Sequence, residues 1–441
     1  MSVLIKTDQF SRQTALFPDF AIPNGTLVNS TANKISHRDR GFHDWYRFVL
    51  SFPPHLVRQY LERFGLNDGA TVLDPFCGTG TTIVEAKLCG INSVGIEANP
   101  VAYFASDVKS DWNIDPSKLK EHARQIAQSV NGAITSQNGN ALRTLPDESM
   151  SLLLANSISP LPLHKSLLLI EALGEEAHSE FHRHEMLALA KSLVFSISNL
   201  HFGPEVGVQR IKKTDAPVVE SWLSEVERMA CDIQGCTPCN AQAVIHHADS
   251  RQLAQLLLPE SIDAVFTSPP YPNEKDYTRT TRLESVLLGF IHNKEELRAL
   301  KKGLLRSNTR NVYKGDDDDR WVDDHEEIQA IATEIEHRRV TLGKTSGFER
   351  LYGKVTKLYF GGMARHLAEL RPYLRQGAFL GYVVGDQASY LQVMIRTGQL
   401  LAGIAESLGY RVVSIDLFRT RLATATRQQM REEVVVLQWN G

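Results

Sequence analysis

The segment of residues 70–97 constrains the fold more than any other part of the sequence. It opens with the short apolar run Ala70–Asp74, passes through a turn with two glycines, and has a helical pattern over Thr81–Leu88. A second apolar run, Ile91–Glu97, then ends in an acid. Strand, glycine turn, helix, strand and acid in this order open a doubly wound α/β sheet. The sequence therefore predicts a Rossmann-like α/β fold.

The alternation of strands and helices returns in the second half of the chain and predicts a seven-stranded sheet. Its last two strands follow Gly409 and suit an antiparallel hairpin at one edge of the sheet. The further strand patterns are Ala243–Asp249, Ile262–Thr267, Ala378–Val384, Val412–Leu417 and Glu433–Trp439. The helical patterns that flank them are Pro53–Phe64, Leu358–Leu374 and Leu400–Leu408.

Two interruptions of this alternation divide the chain. The first is mainly helical, with apolar runs at His164–Leu173, Glu185–Leu200 and Ala216–Ile233, and the second alternates in charge. The predicted segments are an N-terminal arm (1–40), the first part of the core (41–114), a helical insertion (115–240), a second core part with a catalytic loop (241–284), a basic and acidic insertion (285–357) and the C-terminal part of the core (358–441).

The charge of the chain is uneven, although its formal net value is only −3. Residues 301–314 contain lysines and arginines with no acid between them, and residues 338–357 contain more, with a single acid. An acidic stretch, 316–327, separates the two. If the fold brings the basic stretches together, they form a phosphate-binding face. The alternative is a set of solvated helix faces and a charged loop.

The sequence gives little indication of a secreted, membrane or metal-binding protein. No signal peptide is visible, and no apolar run approaches the roughly 20 residues of a membrane helix, so a cytoplasmic protein is expected. Five cysteines are too few for a disulfide framework. Cys231, Cys236 and Cys239 lie near His246 and His247, but they form one C-x-x-C pair and a single cysteine. That spacing makes zinc the less favoured interpretation, and no metal is expected.

The glycine turn is typical of a nucleoside site. Gly78 and Gly80 let the backbone pass close to a ligand, while the third glycine of a dinucleotide fingerprint is missing. Asp74 precedes the turn, where it meets a cationic or amine-bearing group, and Glu97 follows it, where it accepts hydrogen bonds from ribose hydroxyls. This set suits S-adenosylmethionine better than NAD. Asp249, after the third core strand, either accepts from the adenine amine or caps a helix.

The segment Ser268–Tyr271, with sequence Ser-Pro-Pro-Tyr, carries the second chemical signal. The lone pair of an aromatic amine is delocalised into its ring, so an enzyme that methylates it needs acceptors aimed at its N–H groups. The Ser268 hydroxyl and the Pro269 main-chain carbonyl are suitable acceptors, and consecutive prolines stiffen the loop that holds them. Tyr271 can stack on a base extruded from the duplex.

These segments resemble the DNA amino-methyltransferase family, whose members modify cytosine N4 or adenine N6. Phe266–Tyr271 is similar to the signature of the cytosine-N4 enzymes, Asp74–Gly80 to the cofactor motif, and Phe52–Val57 to a second cofactor-contacting segment. Core segments 262–291 and 358–437 extend the resemblance. Adenine enzymes more often carry Asp or Asn in place of Ser268, although the Ser form also occurs among them.

The resemblance implies a site-specific enzyme that methylates cytosine N4 in double-stranded DNA with base flipping. A restriction–modification system with a cognate endonuclease is its expected setting, and the two insertions are expected to recognise DNA. Three alternatives stay open: adenine-N6 methylation of DNA, methylation of an RNA base, and an inactive DNA-binding subunit.

The predicted site has three groups of residues. The catalytic group is Ser268, Pro269, Pro270 and Tyr271. The cofactor group is Phe52, Pro53, Asp74, Pro75, Phe76, Gly78, Gly80, Thr81, Thr82, Glu97, Asn99 and Asp249. The substrate group is Asn273, Asp276, Tyr277, Arg279, Arg306, Asn308 and Arg310.

Overall fold

The computed structural model describes residues 35–36, 39–47, 51–136, 141–202, 206–236, 239–273, 275–422 and 429–441. Most of the predicted N-terminal arm, residues 1–40, lies outside the described residues. The described strands are β1 (Thr71–Asp74), β2 (Asn92–Glu97), β3 (Leu200–Phe202), β4 (Val206–Val208), β5 (Ala243–His247), β6 (Ile262–Thr267), β7 (Leu374–Gly385), β8 (Arg411–Leu422) and β9 (Gln429–Gln438).

Seven of these strands form one sheet in the order β5-β2-β1-β6-β7-β9-β8. The first five run parallel, and β9 pairs antiparallel with both β7 and β8. The predicted Rossmann-like class and the antiparallel hairpin at the sheet edge are both confirmed. A separate two-stranded ribbon, β3 with β4, was not predicted, because its strands have only three residues each.

Helices cover both faces of the sheet, as the parallel strands require. The described helices are α1 (Pro54–Arg63), α2 (Thr81–Leu88), α3 (Pro100–Ser110), α4 (Pro116–Ser136), α5 (Asp147–Met150), α6 (Pro160–Glu175), α7 (His182–Ser192), α8 (Val218–Gln234), α9 (Tyr277–Thr280), α10 (Arg282–Leu287), α11 (Lys294–Gly303), α12 (Glu326–Thr341), α13 (Tyr352–Leu370) and α14 (Thr397–Ser407). None of them is both long and apolar enough to cross a membrane.

Successive residues of a central strand contribute to different cores, since side chains alternate across a sheet. Val72 of β1 and Phe266 of β6 pack with α1, in a core that includes Leu61. Leu73 and Val265, their neighbours in sequence, pack with α13 and α14 instead. The buried strands β1 and β6 are held from both sides, so the loops that follow them start from fixed points.

The helical insertion has its own core, built from α4, α6, α7 and α8. Trp222 of α8 is fully buried in it and donates its indole N–H to the Glu185 carbonyl at 2.9 Å. The helix predicted over Glu185–Leu200 is found as far as Ile197, since α7 runs to Ser192 and a π-helical turn follows over Leu193–Ile197. The Asn199 side-chain amide donates to the Asn156 carbonyl at 3.1 Å, which draws the chain out of the helix.

Candidate functional site

The glycine-rich loop connects the carboxyl end of β1 to α2. Gly78 and Gly80 both have positive φ, +51° and +81°, a conformation that favours glycine. A Cβ on Gly80 would lie 2.6 Å from the Ser106 hydroxyl oxygen of α3, so no larger residue fits without displacement. The Gly80 amide donates to the Cys77 carbonyl at 2.7 Å and closes the turn. An added Cβ on Gly78, by contrast, would meet no described atom within 4 Å, so the backbone can pass close to a ligand there, as a nucleoside site requires.

Asp74 ends β1 beneath this loop and is completely buried. Its Oδ1 accepts hydrogen bonds from the Thr267 hydroxyl at 2.6 Å and from the Phe76 amide at 3.2 Å. Its Oδ2 is buried and accepts none from the described part of the chain. Burial raises the pKa of Asp74 to about 6, although the Thr267 hydrogen bond opposes that rise. An orphaned buried carboxylate oxygen is the partner that a cationic group needs.

Glu97 ends β2, the strand beside β1. Its two carboxylate oxygens accept from the Gly78 amide at 2.9 Å and the Asn99 amide at 2.7 Å. Burial raises the pKa of Glu97 to about 7, against the effect of these hydrogen bonds. A carboxylate has about four lone-pair positions, so each oxygen retains one for a ribose hydroxyl. The residues at this edge thus fit the nucleoside and the positive charge of S-adenosylmethionine.

The Ser-Pro-Pro-Tyr segment, Ser268–Tyr271, is the predicted catalytic loop. It follows β6, on the other side of β1. The Ser268 hydroxyl donates its single proton to the Val383 carbonyl of β7 at 3.1 Å. The Tyr271 ring packs against β7, where a Cβ on Gly385 would lie 2.9 Å from it. Burial raises the pKa of Tyr271, so its phenol stays neutral. Pro269 is buried and Pro270 half-buried, within the same loop.

Other predicted cofactor residues hold the two loops to each other. The Thr82 hydroxyl donates to the Phe266 carbonyl at 3.1 Å, and the Phe52 ring lies edge-on to the Phe266 ring, 5.9 Å between centroids. Phe76 makes a similar edge contact with His366 at 5.0 Å. The remaining members are Pro53, which caps α1, Pro75 in the glycine-rich loop and Thr81, the first residue of α2.

Two predicted cofactor residues are engaged with the protein itself. The Asn99 side chain accepts from the Val101 amide at 3.1 Å and so caps α3. Asp249 accepts from Arg251 through both carboxylate oxygens, at 2.9 and 2.6 Å. No regular helix follows Asp249, so the helix-cap alternative is wrong, although its Oδ1 does accept from the Arg251 amide at 3.0 Å. Any contact of Asp249 with adenine would have to share it with this guanidinium.

Some of the predicted substrate residues lie beside the catalytic loop, and others are engaged with the protein itself. Asn273 and Tyr277 lie beside the catalytic loop, where the Asn273 amide donates to the Tyr271 carbonyl at 2.8 Å and burial raises the pKa of Tyr277 to about 12. Arg279 has a buried Nε that finds no acceptor among the described residues. Asp276 caps α9 and pairs with Lys301 at 2.8 Å.

Arg306 and Asn308 are buried and structural, whereas Arg310 is exposed. The Arg306 guanidinium pairs with Asp316 at 2.9 Å and also donates to main-chain carbonyls of residues 301, 302 and 304. The Asn308 side chain donates to the Lys275 carbonyl at 3.1 Å and accepts from the Arg310 amide. Direct contact of Arg306 or Asn308 with base edges would require these bonds to break.

A buried polar chain that the sequence did not indicate connects the two loops. The Lys109 amine of α3 is 1% exposed and donates to the Thr79 carbonyl of the glycine-rich loop at 2.6 Å and to the Tyr46 carbonyl at 3.1 Å. The Tyr46 hydroxyl in turn donates to Glu284 of α10. Burial lowers the pKa of Lys109 to about 7 and raises that of Glu284 to about 7. A lone lysine late in a helix gives no sequence signal for this role.

The cysteines of the predicted C-x-x-C do not gather with histidines. Cys239 Sγ contacts the Lys87 carbonyl at 3.1 Å, and His247 stacks on Tyr103. Across the described residues, no three His, Cys, Asp or Glu side chains are grouped as metal ligands.

The sequence comparisons match DNA methyltransferases. The N6/N4 methyltransferase family model, described as DNA methylase, matches residues 26–105. Type II methyltransferase M.BsoBI of Geobacillus stearothermophilus is 26% identical over 92% of this chain and 85% of its own length. Type II methyltransferase M.AvaI of Nostoc sp. is 23% identical over 91% and 85%. The solved structure of TrmN from Thermus thermophilus aligns with 91% of this chain and 53% of that one, at 13% identity and a TM-score of 0.27.

Proposed function

Because this chain belongs to the DNA amino-methyltransferase family, we propose that it methylates the exocyclic N4 of cytosine in duplex DNA, with S-adenosylmethionine as the methyl donor. The observation that carries the proposal is the hydrogen bond from the Ser268 hydroxyl to the Val383 carbonyl. A hydroxyl has one proton and two lone pairs. Since the proton is already donated, Ser268 faces an incoming amine as an acceptor.

The residues at the carboxyl ends of β1 and β2 suit the cofactor. Bound S-adenosylmethionine supplies an electrophilic methyl group on a positively charged sulfur. Asp74, with its orphaned Oδ2, provides a compensating negative charge, and Glu97 accepts from the ribose hydroxyls. Gly78 leaves room for close backbone contact, and Gly80 lets the loop pack against α3. These assignments use only groups whose hydrogen-bonding capacity is still free.

The catalytic loop acts on the amine of the target base. Acceptors aimed at the two N–H groups, the Ser268 oxygen and the Pro269 carbonyl, increase the electron density on the nitrogen. The nitrogen would form a bond to the methyl carbon while the bond from that carbon to the cofactor sulfur breaks with its electron pair left on sulfur, and the nitrogen would release one proton to solvent. Tyr271 stacks on the extruded base and keeps the ring in line with the donor. No covalent bond to the enzyme is needed.

Ser268 is also the basis for proposing cytosine over adenine. The cytosine-N4 signature carries serine at this position, whereas adenine enzymes of the family more often carry Asp or Asn. The close alternative is therefore methylation of adenine N6 by the same acceptor set. The Type II relatives support a restriction–modification setting, and we propose a cognate endonuclease as partner.

Product identification tests the proposal. The protein is incubated with labelled S-adenosylmethionine and either bacterial genomic DNA or total RNA, and the nucleosides are then identified by mass. N4-methylcytosine from DNA is the expected product. N6-methyladenine would replace the base assignment and retain the reaction. Label found only in RNA, or cofactor binding without label in either polymer, would overturn the proposed function.

A further inference from the structure

One part of the basic and acidic insertion reaches the surface beside the catalytic loop with an aromatic ring exposed. Every residue from 341 to 348 is exposed, and the Phe348 ring is 54% exposed. Leu342, in the same segment, is also 54% exposed. The Phe348 ring is therefore accessible to a ligand.

A short series of contacts links this segment to Asn273, just after the catalytic loop. The Asn273 amide donates to the Ser307 carbonyl at 2.9 Å, and the Tyr390 hydroxyl donates to the same carbonyl at 3.0 Å. Arg310 follows three residues later, at most about 10 Å of extended chain from Ser307. Its guanidinium carbon lies 6.0 Å from the centroid of the Phe348 ring. The two basic stretches of the sequence therefore meet at this pair.

The charges around the pair are unbalanced toward positive. Arg310, Lys314 and Arg350 are exposed, and none has an acid within ion-pair distance in the described part of the chain. The nearby acid Glu349 pairs with Lys344 at 3.6 Å.

Two carboxylates of the acidic stretch that separates the basic segments are paired inside the protein. Asp316 pairs with Arg306 at 2.9 Å, and Asp318 is buried between Arg251 at 2.5 Å and Arg365 at 3.2 Å. Their charges are compensated inside the protein. The surface that carries Arg310 and Phe348 complements a polyanion.

We propose that Phe348 stacks on a base of duplex DNA next to the extruded target, while Arg310 contacts the adjacent phosphate. The inference rests on the proposed function, since it requires a DNA substrate whose target base leaves the stack. Extrusion exposes the faces of neighbouring bases, and apolar side chains inserted at such steps stabilise the opened duplex. An aromatic ring stacked on a base contributes roughly 5- to 150-fold in affinity. Each phosphate contact adds about one unit to the salt dependence of binding.

The test compares three variants on a DNA fragment that the wild-type protein methylates. Phe348→Ala is expected to raise the Kd for the duplex by about tenfold. Phe348→Tyr, which retains a ring, should bind as the wild type does. Arg310→Ala should reduce the slope of log Kd against log salt by about one. Leu258→Ala is the matched control. Leu258 is 75% exposed and lies just before the start of β6, whereas the catalytic loop follows the end of that strand.

Fluorescence of pyrrolocytosine, an analogue of cytosine, at the target position reports extrusion separately. We expect Phe348→Ala to reduce its increase on binding and to leave the melting temperature unchanged, because the ring is exposed. If the wild type methylates DNA and Phe348→Ala matches it in both Kd and fluorescence, the inference is wrong. It is also wrong if the substitution changes only the oligomeric state, which would indicate a protein-docking surface. Failure of the wild type to methylate any DNA overturns the proposed function instead.

Discussion

Replacing Ser268 by alanine removes one acceptor from the target amine and leaves the cofactor residues unchanged. The hydrogen bond that Ser268 donates to Val383 contributes about 1 kcal/mol to stability, too little for its loss to unfold the chain. Loss of a preorganised partner of the transition state costs about 2.7–4 kcal/mol, or a factor of roughly 10²–10³ in turnover. We expect Ser268→Ala to lose turnover by that factor.

Single-turnover methyl transfer measures the rate, and calorimetry measures the Kd of the cofactor. Asp74 accepts a hydrogen bond from Thr267, the residue before Ser268, and that side chain is kept in the variant, so the Kd should stay within about threefold of the wild-type value. Ser268→Thr retains the hydroxyl and serves as the matched control. A Ser268→Ala rate close to that of the wild type would refute the acceptor role. A rate loss explained entirely by weaker cofactor binding would refute it as well.

Three further predictions follow from the packing and protonation of the site. Gly80→Ala places a Cβ against Ser106 of α3 at positive φ and should lower the melting temperature as well as weaken cofactor binding, whereas Gly78→Ala, with no described atom within 4 Å of the added Cβ, should weaken cofactor binding in calorimetry with the smaller loss of stability. Burial raises the pKa of Glu284 from 4.5 to about 7, so up to about 3 kcal/mol of stability is lost as pH rises through that window. Urea unfolding should therefore show the free energy of unfolding of Glu284→Gln increasing relative to that of the wild type between about pH 5 and pH 8. A difference that does not change with pH would contradict this. Cofactor affinity should fall as pH drops through about 6, where Asp74 becomes protonated. Thr267→Val removes a hydrogen bond to the carboxylate and should move that loss of affinity to higher pH. The same pH profile in the variant and the wild type would argue against this role of Asp74.

The elements nearest the site are those that the sequence predicted best. The helix Thr81–Leu88 and the strand Ile262–Thr267 have the predicted bounds, because each is short and has glycine, proline or an acid within two residues of both ends. The predicted run Glu185–Leu200 extends three residues beyond the helical segment, whose end depends on bonds from Asn199 to residues about 40 positions away. Periodicity reports local preference, and such remote contacts lie beyond it.

For the site residues, the sequence indicated the kind of ligand better than it indicated which side chains are free to contact that ligand. The order of Asp74, the glycines and Glu97 follows from strand ends that must meet at one sheet edge, which is a property of the fold. Asn99 and Asn308 have the residue type of ligand-binding groups, but the same amide also caps helices and turns. Only the three-dimensional positions of backbone amides separate the two uses.

The buried chain of Lys109, Tyr46 and Glu284 explains how the two loops keep one relative position. Lys109 holds the Thr79 carbonyl, and Tyr46 connects that amine to α10, which follows the catalytic loop. None of these side chains is more than 2% exposed, so water cannot replace a broken bond without opening the core. Buried polar groups left unpaired cost about 1–3 kcal/mol each, which disfavours separate movement of either loop. The glycine-rich loop and the acceptors after β6 are therefore positioned together before either ligand arrives, as catalysis by preorganised hydrogen bonds requires.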